Sequence, residues 1–213
     1  RILADSQSTR RDLVELLDVD PERVTVLYPG VEARFQPVHD AGILGRVRDR
    51  YNLPERFVLG LSTVQPRKNF PGLIEGFRRL LVDHAQAPWL KDLRLVIAGG
   101  EGWMTDTVYR AVVDAGLEDK VHFTGYVDDD DLPALYSLAL AFAFPSLYEG
   151  FGLPVLEAMA CGVPVVAAGN SSLPEVVGDA GLLVETDNPA ALAAALHRLL
   201  EDEALRRSLA TEV

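Results

Sequence analysis

The chain has 213 residues, 48% hydrophobic and 24% charged, with a formal net charge of −12. That length suits one complete core and is short for two, and no run of about 18 apolar residues exists to span a membrane as a helix. The acidic balance argues against a sequence-independent nucleic-acid surface, but says little about small anions, which are held by local donors.

The opening, Arg1-Ile2-Leu3-Ala4-Asp5-Ser6, has no methionine and no signal-peptide pattern, and it reads as an internal cut. Residues 8–17 carry helical periodicity and 24–27 read as a strand, with Tyr28-Pro29-Gly30-Val31 as the turn out of it. The stretch 35–40 is linker-like. One strand and one helix cannot make a core. Residues 1–36 are therefore expected to be the tail of a preceding domain, with the boundary near Pro37, and 37–213 a second domain. From Phe57 onward short apolar runs alternate with helical periods. Strands are expected at 57–61, 93–98, 121–123, 140–144, 163–167 and 182–184. Helices are expected at 70–83, 106–115, 130–137, 153–160, 173–177 and 189–201. Near-continuous apolar runs suit strands buried on both faces of a parallel sheet. The repeated strand-helix order is that of a doubly wound α/β fold, a Rossmann-like parallel sheet with helices on both faces. Residues 203–213 place Leu205 and Leu209 at helical spacing and stop without a cap, so the far end also reads as a cut.

Doubly wound folds bind ligands at the carboxyl ends of their strands, and three such ends carry unusual loops. After 57–61 comes Ser62-Thr63-Val64-Gln65-Pro66-Arg67-Lys68-Asn69. Adjacent Arg67 and Lys68 before a helix N-terminus can clamp a diphosphate; a solvated basic loop with Asn69 as helix cap is the other reading. After 93–98 comes Gly99-Gly100-Glu101-Gly102-Trp103, which by itself fits a tight turn and lacks the dinucleotide fingerprint. The third is Pro145-Ser146-Leu147-Tyr148-Glu149-Gly150-Phe151-Gly152-Leu153-Pro154-Val155-Leu156-Glu157. Its Gly150-Phe151-Gly152 breaks any continuous helix, leaving Glu149 in the loop and Glu157 in the opening turns of the next helix. Carboxylates there can accept from sugar or ribose hydroxyls. Helix-dipole pairing of Glu157 and solvation of Glu149 explain the acids but not the glycines between them. Asp128 to Asp131 reads as a turn and helix cap rather than a metal site, and His39, His84, His122 and His197 lack ligand spacing. The single cysteine, Cys161, excludes an internal disulfide; Met159-Ala160-Cys161-Gly162 fits a small buried thiol better than a nucleophile. A reducing compartment is expected. Trp89 and Trp103 read as packing or rim residues.

With these loops in order, the chain resembles glycosyltransferase family 4, retaining enzymes of the two-Rossmann-domain type called GT-B. The marks are Pro66-Arg67-Lys68-Asn69, the paired glutamates around Gly150-Phe151-Gly152, Gly162-Val163-Pro164-Val165-Val166, Ser171-Ser172-Leu173-Pro174-Glu175-Val176 and Gly178-Asp179-Ala180-Gly181. The resemblance covers essentially the whole chain and makes 37–213 the nucleotide-sugar-binding domain. It implies that Arg67 and Lys68 bind the donor diphosphate and stabilise charge on the leaving group. Glu149 would contact the transferred sugar beside the backbone of Gly150, Phe151, Gly152 and Leu153. Glu157 would hold the ribose hydroxyls, Tyr126 and Val127 would line the base pocket, and Gly99 and Gly100 would border the cleft.

The resemblance also implies that no metal or other cofactor is needed, because Arg67, Lys68 and helix ends replace it. The implied reaction is hexosyl transfer with retention, with departure and attack on one face of the sugar. Gln65-Pro66-Arg67-Lys68-Asn69 with Gly100-Glu101-Gly102-Trp103 is similar to the mannosyltransferase branch, which favours GDP-mannose over UDP-sugars. Expected partners are the nucleotide sugar, the N-terminal domain of the same enzyme and an acceptor that is a glycan or lipid-linked glycan. A cytoplasmic location is expected, with the whole enzyme open to a peripheral place at the membrane, and the isolated fragment is expected to be inactive. A nucleotide-sugar-binding module without chemistry would use the same cleft. A sugar-nucleotide epimerase would need further acids and histidines, a phosphorylase more basic groups, and a dehydrogenase the missing glycine fingerprint.

Overall fold

The computed structural model describes residues 1–100, 102 and 105–211. Alternation along the central strands sorts their side chains to two faces. In β3 (Arg56–Leu61), Phe57 and Leu59 pack on one face and Val58 on the other. In β4 (Leu93–Ala98), Val96 and Ala98 oppose Leu93, Leu95 and Ile97. In β6 (Ala141–Phe144), Phe142 and Phe144 oppose Ala141 and Ala143. With β5 (Val121–Gly125), β7 (Val165–Ala168) and β8 (Leu182–Val184) they form a parallel six-stranded sheet in the order β5-β4-β3-β6-β7-β8. The doubly wound α/β architecture read from the sequence is therefore present.

Each face has its own hydrophobic core. One takes α2 (Ala41–Arg50), α5 (Leu132–Leu138), α6 (Leu153–Ala160) and α7 (Leu173–Val177). The other takes α3 (Phe70–Asp83), α4 (Thr105–Asp114), α8 (Pro189–Glu201) and α9 (Glu203–Thr211). Helix α3 shows why: Phe70, Leu73, Ile74, Phe77 and Leu80 fall on one stripe and are all buried. Within that stripe Gly76 admits α8, since a Cβ there would lie 2.8 Å from Leu192 Cδ2. The chain enters the sheet at its middle, at β3, builds outward through β4 and β5, then returns to the other side of β3 at β6. The strand order thus reverses between β3 and β6.

Ahead of the sheet, β1 (Ile2–Ala4) and β2 (Val24–Val26) pair in parallel around α1 (Gln7–Leu17). The sequence showed β2 but not β1. Other boundaries also differ from expectation. β7 begins at Val165 rather than Val163, because the Val163 N–H closes helix α6 on the Ala158 carbonyl at 3.0 Å and Pro164 has no N–H to give. The edge strands β5 and β8 are only partly buried, with Leu183 40% exposed, so the expectation of strands buried on both faces holds for the central four alone. The linker-like stretch is anchored: Phe35 is buried against Tyr136, and α2, unseen in the sequence, follows directly.

Helix α2 also adds to the reading of Asp128 to Asp131 as a turn and helix cap, for Asp128 and Asp131 do stand at the N-cap positions of the 3-10 turn 129–131 and of α5. Neither Asp128 nor Asp131 caps a helix through its side chain. The buried Asp131 carboxylate instead accepts from Arg50 at 2.8 Å and Tyr51 at 3.0 Å and pairs with Arg46 at 2.9 Å, and Asp128 pairs with Arg50. Burial pushes the Asp131 carboxyl up, but the Tyr51 and Arg46 bonds and both arginine charges outweigh it, and the net shift is downward. A lowered carboxyl contributes stability above its unfolded value and loses it as pH falls through its folded value. Urea denaturation should therefore show Asp131→Asn less stable than the parent chain at neutral pH by about 1–3 kcal/mol, with the gap closing below the usual carboxylate range. A gap independent of pH would contradict this tie.

Candidate functional site

Arg67 and Lys68 lie in a single 3-10 turn, Pro66–Lys68, at the carboxyl end of β3. Glu149 lies in the loop 145–152 at the carboxyl end of β6. These are the neighbouring strands between which the order reverses, and the two loops are joined there: the Leu147 N–H donates to the Arg67 carbonyl at 2.7 Å, and Ser146 Oγ, whose single proton is shared with the Glu149 carboxylate, lies 2.9 Å from it. Residues 81 and 82 positions apart thereby meet. Arg67 Nη1 lies 2.7 Å from Glu149 Oε2 and donates to the Tyr148 carbonyl at 3.2 Å; Lys68 Nζ lies 2.6 Å from Glu149 Oε1. Ser146 Oγ reaches Oε1 as well, at 2.7 Å.

Burial is uneven across this cluster. The Lys68 and Glu149 side chains are each only 8% exposed, whereas Arg67 is 48% exposed. Burial is the largest influence on Lys68 and lowers its pKa; the Glu149 contact opposes this without cancelling it, and Arg67 adds to the lowering. The Lys68 ammonium also stands 4.9 Å from the Phe144 ring centre, where the ring face favours a cation. Two cations on one carboxylate leave one positive charge in excess, and the exposed member, Arg67, presents it to solvent. Among the described residues Glu149 Oε2 has Arg67 as its one partner, which leaves it a lone pair for a further donor. The reading of Arg67-Lys68 as a plain solvated loop does not describe Lys68, and Glu149 is not solvated.

The N-terminus of α6 opens beside this cluster. Its cap position is Gly152 at φ 114°, without a side-chain cap bond; a Cβ there would stand 2.8 Å from Leu173. Only glycine takes that backbone readily. Glu157, one turn in, accepts from the Tyr136 hydroxyl at 2.9 Å and is half-buried; burial raises its carboxyl pKa, against the Tyr136 bond and the Arg34 charge. Leu153 is 42% exposed at the helix mouth. Cys161 is buried and its thiol is pushed up to about 12 by burial and by Glu157, which makes it a packing residue rather than a nucleophile.

The remaining expected positions fall around the same rim. Gly99 follows β4 at φ 130°, and a Cβ on it would lie 2.1 Å from the Ser62 carbonyl oxygen. Its glycine is thus required by the close approach of the two loops, which are also joined by the Val64 N–H on the Gly100 carbonyl at 3.2 Å. Gly100 has open space around it, while Glu101 and Trp103 lie outside the described residues. Tyr126 is 66% exposed and Val127 buried beyond the end of β5. Tyr126 walls an open cavity of about 540 Å³ with Arg34, Arg46, Arg50 and the 128–131 run. His122 is at the far end of β5, 2.8 Å from the Tyr51 carbonyl, and His84 stacks on His197 at 3.5 Å. Trp89 packs against one core.

Sequence reasoning missed the residues that hold the 145–152 loop. Asn170 donates to the Ser146 carbonyl at 3.0 Å, Ser171 accepts from the Glu149 N–H at 3.0 Å, and Ser172 bonds the loop carbonyls. All follow β7, so the same strand-end rule would have found them. The N-terminal segment grips the loop from its other side. Tyr148 bonds Asp12, Ser6 donates to the Gly150 carbonyl, and Tyr28 packs on Phe151 at 6.2 Å. Glu175 accepts from the N–H groups of Gln7 and Ser8, each at 2.8 Å, and from Tyr28 at 3.1 Å.

A parallel doubly wound sheet with an anion-ready cluster at its reversal point is the arrangement of a ligand-binding α/β domain. A family model described as glycosyl transferases group 1 matches residues 46–212. The chain belongs to that family. It is 36% identical over 206 residues to the O-antigen chain mannosyltransferase B of Escherichia coli, covering 96% of this chain and 52% of that protein. It is 41% identical over 224 residues to the D-inositol 3-phosphate glycosyltransferase of Salinispora arenicola, covering 99% of this chain and 49% of that protein. Among solved structures, sucrose-phosphate synthase from Thermosynechococcus elongatus matches with a TM-score of 0.81 and 28% identity, over 98% of this chain and 51% of that one. The chain thus spans about half the length of these relatives, and its sheet is that of one Rossmann-like half of a GT-B glycosyltransferase.

Replacing Glu149 by Gln keeps the shape but strands a buried ammonium. Glu149→Gln should lower the unfolding free energy by about 3 kcal/mol at neutral pH, measured in urea. Unchanged stability would show that the buried pair does not persist in solution.

Proposed function

We propose that the chain is the donor-binding half of a retaining glycosyltransferase of family 4 that moves a mannosyl group from GDP-mannose to a glycan or lipid-linked glycan. The observation that carries this reading is the Arg67–Lys68–Glu149 cluster at the β3/β6 reversal, beside the N-terminus of α6. Its surplus positive charge, with the positive end of the α6 dipole beside it, matches a diphosphate, the charged part of any nucleotide sugar. Mannose is favoured over other hexoses by the likeness to an O-antigen chain mannosyltransferase.

In this reading Arg67 and Lys68 stabilise the negative charge that grows on the departing diphosphate, an electrostatic effect strongest where water is excluded. Glu149 holds both cations and offers the remaining lone pair of Oε2 to a hydroxyl of the transferred sugar. Glu157 takes the ribose hydroxyls, Tyr126 and Val127 border the base, and Gly99, Gly100, Gly150, Phe151, Gly152 and Leu153 form the walls. No metal is required. Leaving group and acceptor share one face of the sugar, and a diphosphate oxygen takes the acceptor's proton. The chain alone should bind donor without transferring it, since positioning by a second domain is worth about 7–11 kcal/mol in such reactions.

Calorimetric titration with GDP, UDP, GDP-mannose and UDP-glucose, without divalent metal, tests the reading. Preference for GDP and GDP-mannose is expected; preference for the uridine pair would overturn the donor, and no binding by any would overturn the reading. Lys68→Ala should weaken the preferred diphosphate about 30-fold or more, the loss of roughly 2 kcal/mol expected for a bond to a charged group. His122→Ala, at the opposite end of the sheet, should bind like the parent chain. Equal affinities in all three proteins would refute the clamp.

A further inference from the structure

The loop that carries Glu149 is held from behind through its carbonyls. Ser172 is fully buried, with its Oγ 3.0 Å from the Glu149 carbonyl oxygen and 2.6 Å from that of Phe151. A hydroxyl has one proton, so it is shared between the two, with the shorter bond to Phe151. The Gly150 carbonyl between them accepts instead from Ser6 at 2.7 Å and Thr9 at 3.3 Å.

No peptide here is cis, and in a trans peptide the C=O and the following N–H point in opposite directions. Two carbonyls drawn to one oxygen therefore turn the N–H groups of Gly150 and Gly152 away from Ser172, to the same side of the loop. Neither N–H donates to an acceptor among the described residues. Neither glycine carries a side chain of its own; the Asp5 carboxylate stands 3.1 Å from where a Cβ on Gly150 would lie, and Leu173 2.8 Å from one on Gly152. A pair of unpartnered N–H groups beside a surplus positive charge is a fixed grip for an oxyanion.

We propose that Ser172 is a positioning residue: by holding the Glu149 and Phe151 carbonyls it presents the Gly150 and Gly152 N–H groups together to oxygens of the donor diphosphate. This rests on the diphosphate reading above. Ser6 completes the arrangement by holding the middle carbonyl in the opposite sense, and Glu175 seats the helix that carries Ser6.

The test is the affinity of the chain for guanosine, GMP and GDP, and for uridine, UMP and UDP, in the parent and in Ser172→Ala. Ser172→Ala should lose about tenfold on the preferred diphosphate, less on the monophosphate and little on the nucleoside. Ser6→Ala, which leaves Thr9 on the Gly150 carbonyl, is the second variant should Ser172→Ala fail to fold, and should show the same graded pattern with a smaller loss. An equal loss on all three ligands would mark a merely structural serine and overturn the proposal. If the parent itself gains nothing from nucleoside to diphosphate, the diphosphate reading falls and this proposal with it. If the parent gains and the variant gains equally, this proposal alone falls.

Discussion

Everything at the candidate site is arranged around a buried ammonium and the carboxylate that makes its burial tolerable. Lys68 is almost out of contact with water, and removing an ion that far from solvent costs several kcal/mol unless a counter-charge and further hydrogen bonds replace the lost hydration. Glu149 supplies that charge at 2.6 Å, and Ser146 and Arg67 are further partners of the carboxylate. The pair also ties the end of β3 to the end of β6. A strand-order reversal leaves a crevice between the two loops, because one connection departs to each side. Here the floor of the crevice sets two fixed cations, Arg67 and Lys68, against the one carboxylate of Glu149.

The rest of the rim is set by how closely backbones approach. Gly99 lets the loop after β4 lie against Ser62, and Gly152 lets the chain turn into α6 under Leu173. Asn170, Ser171 and Ser172 fix the 145–152 loop from the side of β7, while Ser6, Asp12 and Tyr28 fix it from the N-terminal segment. A loop bonded on both sides keeps its N–H groups in place before a ligand arrives, so little ordering remains to oppose binding. Glu175 is the joint between the two sides, since one carboxylate takes two N–H groups of α1 and the Tyr28 hydroxyl.

How much of this the sequence disclosed depended on the range of the interaction. The central strands and α3, α6, α7 and α8 were legible because periodicity and capping are local signals. Arg67, Lys68 and Glu149 were legible as strand-end residues, but their pairing spans 81 and 82 positions, and no local rule joins them. Asp131 shows the opposite failure. Capping preference placed it correctly before α5, yet its side chain turns to Arg46, Arg50 and Tyr51 on an element the sequence did not reveal. Helix α2 escaped notice because Gly42 and Gly45 interrupt it and it buries little beyond Val47. Ser172 carried a motif but no chemistry until its two carbonyl partners were seen.

The central claim is that a diphosphate sits on the surplus charge at the β3/β6 reversal. A crystal structure of the chain with GDP or UDP, whichever it binds more tightly, examines this directly. Phosphate oxygens should lie within about 3 Å of Arg67 and Lys68 nitrogens, with Lys68 still paired to Glu149. Phosphates bound elsewhere on the rim, with both cations left on the glutamate alone, would contradict it.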